Sequence, residues 1–304
     1  MPHERIYDVL IVGAGPAGLS AAQTLGRCRR RAIVFDDGQQ RNQSATSMHG
    51  FLSRDGISPV QFLALAANEL AQYPTVDRKQ AHISHAQRTA GAFRVRTSEG
   101  EEFEGRRLLL ATGMYDVLPQ IEGIERSWGR RVFTCPYCDA WEFRDKRLAV
   151  IGRGRKAVEL AQEMAQWSDD LIVCMQGVDD LNRRQRQWLE RRKTVVVSAQ
   201  LTAMHDAGGH LILESSDGRS EQCEAAFLCA PLRQRYPLVE MLGCSVREDG
   251  EIAVNEYGRT CVDGCYAAGD AVTMRHQVVL AAASGVNAAI AINDDLIDDD
   301  LAQE

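Results

Sequence analysis

The sequence predicts an α/β fold in which one strand–turn–helix–strand unit occurs twice. Three observations carry this reading. An apolar run, Tyr7 to Val12, ends in Gly13-Ala14-Gly15-Pro16-Ala17-Gly18 and leads into helix-favouring Leu19–Leu25. The same order returns at Leu148–Ile151, Gly152-Arg153-Gly154-Arg155-Lys156-Ala157 and Val158–Trp167. Between the two units stand the closely spaced cysteines of Cys135-Pro136-Tyr137-Cys138. With 304 residues the chain has room for two domains at roughly 100–200 residues each.

The first unit is fully equipped for a dinucleotide. Gly13 makes the tight turn, Gly15 lets the backbone approach a pyrophosphate, and Gly18 lets helix and strand pack closely. The helix N-terminus, entered through Pro16 and Ala17, faces the phosphates. Strand Ala32–Phe35 then ends at Asp36, 18 residues beyond Gly18, where a carboxylate can take ribose hydroxyls.

A loop from Asp37 to Pro59 follows and contains Arg41-Asn42 and His49-Gly50-Phe51. Ser58-Pro59 opens a helix expected to run through Leu70. Strand-like pieces at Ala81–Ala86, Phe93–Thr97 and Glu102–Gly105 read as a small β-meander. Arg107–Ala111 reads as another buried strand closing at Thr112-Gly113, and Pro119 and Gly123 mark a crossover.

The second unit differs at the end of its second strand, Leu171–Met175. It finishes Cys174-Met175-Gln176-Gly177, with neither an acid for a ribose 2′-hydroxyl nor a base for a 2′-phosphate. Arg153, Arg155 and Lys156 do place positive charge in the turn itself. A turn kept only for packing is the competing reading. Farther on, Arg183–Arg192 is helical, while Thr194–Val197, Leu211–Glu214 and Ala225–Leu228 are strands. Pro231 and Pro237 mark the return. A strand ends at Gly269-Asp270, and an Ala-rich helix, Val278–Ile292, starts after His276-Gln277. The acid-rich tail, Asp294–Glu304, reads as a frayed, solvated end.

Composition excludes several classes. At 45% hydrophobic and 25% charged residues the chain is ordinary globular material. A net charge of −7 argues against a nucleic-acid or anionic-membrane surface. The clusters Arg27–Arg31 and Arg183–Arg186 are short and read as solvated helix ends or faces. No apolar run reaches the ~20 residues of a membrane span, and Met1–Arg5 runs straight into a strand, so no leader is expected. The nine cysteines, odd and scattered, fit a reducing compartment, here the cytoplasm. Cys28, Cys174, Cys223, Cys229 and Cys244 read as core thiols.

Cys135 and Cys138 stand at the start of a helical stretch. A helix N-terminus stabilises thiolate, and the spacing lets the sulfurs bridge reversibly. Half of a zinc site, or two buried thiols, is the alternative. Neither this pair nor Cys261/Cys265 has His or Cys partners at ligand spacing, so no metal is expected.

With these pieces in order the chain resembles the low-molecular-weight thioredoxin reductase family of flavoproteins over nearly its whole length. The resemblance is carried by Gly13–Gly18, Ala111-Thr112-Gly113, Cys135-Pro136-Tyr137-Cys138-Asp139, Gly152–Ala157 and Ala267-Ala268-Gly269-Asp270. It implies two Rossmann-like, three-layer ββα domains. The FAD domain would be discontinuous, residues 1–115 and 241–304, with a pyridine-nucleotide-like domain at 116–240 carrying a redox disulfide. It also implies a homodimer. FAD would touch Gly13, Gly15, Pro16, Ala17, Gly18, Asp36, Arg41, Asn42, His49, Thr112, Gly113, Gly269, Asp270, His276, Gln277 and Val278.

Two departures from the reductases matter. The place of their His-Arg-Arg-type 2′-phosphate cluster is taken here by Cys174–Gly177, which leaves tight NADP(H) binding unexpected. Cys-Pro-Tyr-Cys followed by Trp141-Glu142 is more similar to the dithiol oxidases that close disulfides in natural products such as gliotoxin, holomycin and romidepsin, although those carry His where this chain has Asp139. The resemblance thus implies that a small dithiol attacks a Cys135–Cys138 disulfide and that electrons pass through FAD to O2. Asp139 would move the proton, with His49 and His276 as secondary candidate bases. Tyr137 and Trp141 would line the substrate pocket or pack in the core. The alternative is an NADPH- or ferredoxin-dependent reductase acting on a thioredoxin-like protein.

Overall fold

The computed structural model describes residues 6–303. Met1–Arg5, where the leader-free start was read, and Glu304 lie outside them. The chain divides into two compact units. One comprises the chain up to Gln43, Gly50–Tyr115 and everything from Leu232 onward; the other comprises Ser44–His49 and Asp116–Pro231. Residues 232–240, read from the sequence as part of the insert, go with the first unit. Leu238 and Val239 are buried there in one cluster with Ile83 and Ala86.

The first unit is built on a seven-stranded sheet. Val76–Gln80, Ala32–Asp36, Tyr7–Val12 and Glu102–Leu110 run parallel in that order. Leu10 stands beside Ile33 on one side and Leu108 on the other. Such doubly flanked strands read as unbroken apolar runs because both faces are covered. Side chains alternate between the faces. Val9, Ile11, Val34 and Leu109 pack among Ala17, Ala21, Ala288 and Ile292 of the long helices Pro16–Arg27 and Val278–Leu301. Leu10, Ile33 and Leu108 face Ile83, Phe93 and Val95 of the antiparallel strands Ile83–Thr89 and Ala92–Thr97. The result is one ββα sandwich.

The second unit repeats the plan. Val195–Val197, Leu171–Cys174, Leu148–Ile151, Ala225–Leu228 and Val132–Phe133 form a parallel sheet in that order. Leu148 and Val150 face Ala157, Val158 and Ala161 of helix Arg155–Met164. Ala149 and Ile151 face Met204, Leu211 and Leu213 of an antiparallel meander, Leu201–Asp206, Leu211–Ser215 and Ser220–Cys223. No helix is long and apolar enough to cross a membrane, among the described residues.

Several expectations are corrected. Glu102–Gly105 and Arg107–Ala111 are one strand, Glu102–Leu110, whose first half pairs with Ala92–Thr97 and whose second half pairs with Cys265–Ala267. Strands Val76–Gln80, Leu201–Asp206 and Ser220–Cys223 go beyond what the sequence announces, since their polar faces hide the alternation. Cys28 is exposed and is no core thiol. The acid-rich tail is not frayed: the last helix continues to Leu301. Asp295 receives both Arg259 Nε and an Arg259 terminal nitrogen, at 3.1 and 2.6 Å, and also the Tyr266 hydroxyl. Asp299 pairs with Arg107 at 2.5 Å, and Asp300 with Arg30 at 2.7 Å. Arg30 is therefore not simply solvated.

Candidate active site

In the first unit the glycine turn is shaped by close approach. Gly13 has φ +109°, and a Cβ there would lie 2.2 Å from the Ala111 carbonyl oxygen. A Cβ on Gly18 would lie 1.9 Å from the Gly13 oxygen. Gly15 is the opposite case: nothing stands within 4 Å of its missing Cβ. It opens helix Pro16–Arg27, whose N-terminus has no side-chain cap. Those amides and the dipole behind them are available to an anion.

Asp36, at the end of its strand, accepts hydrogen bonds from the Gly38 amide at 2.9 Å, Gln40 Nε2 at 3.2 Å and Arg78 at 3.2 Å. It borders a cavity of about 370 Å³ with Gly38, Gln40, Asn42, Leu63 and Arg78. The Thr112 hydroxyl is buried without a hydrogen-bond partner among the described residues, a costly arrangement unless a ligand satisfies it. Gly113 beside it faces open space. Arg41 approaches Asp270 to 3.4 Å. The Gly269 amide donates to Ser284 Oγ at 2.7 Å, which fixes the Gly269-Asp270 turn. His276 precedes Gln277, the N-cap of Val278–Leu301. An open glycine at an uncapped helix N-terminus, an orphaned hydroxyl and an acid-edged cavity fit the phosphates and ribose of a dinucleotide such as FAD.

In the second unit, strand Val132–Phe133 leads directly into a Cys135–Cys138 disulfide. Cys135 caps the short helix Pro136–Asp139, and its carbonyl accepts the amides of Cys138 and Asp139 at 3.2 Å each. Tyr137 and Trp141 flank the disulfide and are 65% and 62% exposed, so neither is a core residue. Tyr137 meets Trp167 edge-on at 5.5 Å, and Arg144 lies over the Trp141 ring at 4.1 Å.

Asp139 is half-buried beside the disulfide. Burial pushes its carboxyl up to about 7, and the nearby Glu142 charge adds to the shift while His49 opposes it. His49, from Ser44–His49, stands with this unit. Its Nε2 lies 3.6 Å from Glu142 Oε1 and 3.2 Å from Ser47 Oγ. A carboxyl poised near neutrality can both take and give a proton at working pH. The sequence presents Glu142 only as part of the motif that follows the cysteines, with no role of its own. Its signal was the spacing of three from Asp139, which places two acids on one helical face.

The second glycine turn is built differently from the first. Gly154 has φ +51°, and the place of its Cβ is filled by Asp180 Oδ1, 2.0 Å away. That oxygen accepts the Arg155 amide at 2.6 Å. Beyond the strand, Gln176 and Gly177 both take positive φ and turn the chain back toward Asp180. Among the described residues no cluster of His, Cys, Asp and Glu could hold a metal ion.

Two ββα units, one with an open dinucleotide cradle and one with a Cys-x-x-Cys disulfide at the start of a short helix, define a nucleotide- and disulfide-using oxidoreductase. Residues 7–285 match the pyridine nucleotide-disulphide oxidoreductase family, and the chain belongs to it. It is 31% identical over 317 residues to the thioredoxin reductase sirT of Leptosphaeria maculans, covering 98% of this chain and 96% of that one. Among solved structures it is similar to HlmI, with TM-score 0.94, 34% identity and coverage of 100% and 96%. It is likewise similar to an oxidoreductase from Agrobacterium tumefaciens, with TM-score 0.90, 30% identity and coverage of 96% and 99%. The chain is thus a thioredoxin reductase-like disulfide oxidoreductase.

Proposed function

We propose that this enzyme is an FAD-dependent dithiol oxidase that closes an intramolecular disulfide in a small molecule. The observation that carries the reading is the Cys135–Cys138 disulfide with a near-neutral carboxyl, Asp139, directly after it and exposed aromatic side chains on its rim. The direction of electron flow rests on the strand end Cys174-Met175-Gln176-Gly177, which offers no group for a 2′-phosphate.

The chemistry follows from thiol–disulfide exchange. Asp139, as carboxylate, takes the proton of one substrate thiol. The substrate thiolate attacks Cys135 Sγ, the Cys135–Cys138 bond breaks, and Cys138 leaves as a thiolate. The second substrate thiol then releases its proton to solvent and attacks its partner sulfur in the mixed disulfide. A disulfide forms within the product, and Cys135 leaves, taking the proton held by Asp139. The substrate has lost two electrons and the cysteine pair has gained them. FAD, held by Gly13, Gly15, Asp36, Thr112 and Asp270, supplies when bound a two-electron acceptor for the reduced pair and a donor to O2. The reading takes a small dithiol and O2 as partners and the chain as a cytoplasmic homodimer.

Oxygen uptake with a small dithiol tests it. One O2 should be consumed per disulfide formed, and both Cys135→Ser and Cys138→Ser should abolish turnover while keeping FAD. A protein that consumes no oxygen with any dithiol, yet reduces a thioredoxin-like protein with NADPH, would reverse the direction.

A further inference from the structure

In the second unit's glycine turn, the first amide of the helix, one of those that face a pyrophosphate in such turns, is taken by the protein's own carboxylate. The two turns also differ in backbone conformation: Gly15 has φ −75° and ψ −176°, Gly154 φ +51° and ψ −123°. At Gly15 the space beyond the backbone is open. At Gly154, its counterpart, Asp180 Oδ1 fills that space and takes the Arg155 amide, the first N–H of helix Arg155–Met164, at 2.6 Å. Arg155 Nε lies 3.8 Å from the other Asp180 oxygen, so the turn's positive charge is also directed at this carboxylate.

The loop that delivers Asp180 is secured at several points. The Gly154 amide donates to Met175 O at 3.2 Å, and the Gly177 amide to Ser198 O at 2.9 Å. Asp179 forms a two-pronged pair with Arg186 at 2.8 and 3.2 Å. Asn182 caps helix Arg183–Arg192 in a reciprocal box with Gln185. Val178, at the start of the same stretch, also approaches Gly154. An incoming pyrophosphate would have to displace Asp180 from its amide and then share the turn with its charge, and like charges brought that close repel.

We infer that Asp180 is a built-in phosphate mimic that closes the second dinucleotide turn, so that the pyridine nucleotide implied by the family does not fit this chain. The inference deepens the proposed function and rests on its direction of electron flow: with this turn closed, reducing equivalents enter from the thiol side.

Calorimetric titration of the FAD-loaded protein with NADPH, NADH and ADP tests it, with FAD retention followed by absorbance. The wild type should bind none of them more tightly than about 1 mM. Asp180→Ala, which frees the amide and removes the charge, should bind ADP at least roughly tenfold more tightly than wild type. Asp180→Asn keeps an acceptor for the Arg155 amide but not the charge, and should fall between the two. Micromolar binding of NADPH by the wild type overturns the inference. So does an Asp180→Ala protein that keeps its helix content and FAD yet binds ADP no better than wild type. Where Asp180→Ala does not fold, Asp180→Asn decides, and no gain over wild type overturns the inference. Failure of the oxidase reading looks different: a small dithiol would leave the flavin oxidised, whatever the Asp180 variants bind.

Discussion

His49 Nε2 stands 3.6 Å from Glu142 Oε1, and both act on Asp139, the carboxyl that follows the redox disulfide. The two pull in opposite directions. Glu142 disfavours the Asp139 carboxylate by like charge, and His49 favours it. Glu142→Gln should therefore shift the pH profile of dithiol oxidation to lower pH, and His49→Ala should shift it to higher pH. The check is the pH dependence of anaerobic flavin reduction by a dithiol in the three proteins. Unmoved profiles would remove Asp139 from the proton path.

Asp139 also couples pH to stability. Its folded-state carboxyl is raised from 3.8 to about 7, so the folded state binds the proton more tightly than the unfolded chain. The stability this contributes is present below about 3.8 and lost as pH rises through about 7. Asp139→Asn carries no ionisation penalty. Its melting temperature should rise relative to wild type as pH goes from acid to neutral, while its rate with dithiol falls by about 10²-fold or more. Calorimetric melts across that pH range check the first point and stopped-flow reduction the second.

The tail helix has the opposite linkage. Arg259 above all, with Tyr266, holds the Asp295 carboxyl below its usual range. That stability is present above the unfolded value and is lost on acidification. Asp295→Asn should cost about 1–2 kcal/mol at neutral pH, and less in acid, in denaturant melts. An unchanged midpoint would return the tail to the solvated end that its composition suggests.

The glycines of the first turn separate fold from cofactor. Gly15→Ala has room in the protein and should fold with a near-normal melting temperature, but its methyl enters the phosphate cradle, so the purified protein should carry less flavin. Gly18→Ala meets the Gly13 carbonyl and should lose about 1–3 kcal/mol or more of stability. The flavin-to-protein absorbance ratio and a thermal melt distinguish the two effects.

How far the fold was legible depended on which face of each element is covered. Val9–Val12, Ala32–Phe35, Leu148–Ile151 and Ala225–Leu228 are apolar throughout because helices and meanders bury both sides, and the sequence marks each strand nearly to the residue. Val76–Gln80 reads as Val-Asp-Arg-Lys-Gln and is mostly exposed, so nothing in it announces a strand. Asp294–Leu301 looks like a tail by composition, and partners far off in sequence hold it as a helix: the arginines at 30, 106, 107 and 259 on its acids, and the core that buries Leu296. Of the candidate site, the glycines, Asp36 and the cysteine pair announce themselves by spacing. Asp180 does not, because its role arises from a loop folding back on the turn, whereas Glu142 is placed by the helical turn that directly follows the disulfide. Residues 44–49 bring His49 to Glu142 by the same kind of return.

In the proposed reaction electrons enter from a thiol and not from a nicotinamide nucleotide. Anaerobic titration of the yellow protein, once with dithiothreitol and once with NADPH, measures this directly. Full bleaching of the flavin by the dithiol, none by NADPH, and return of colour on admitting air are the predicted results. Rapid bleaching by NADPH would contradict the account.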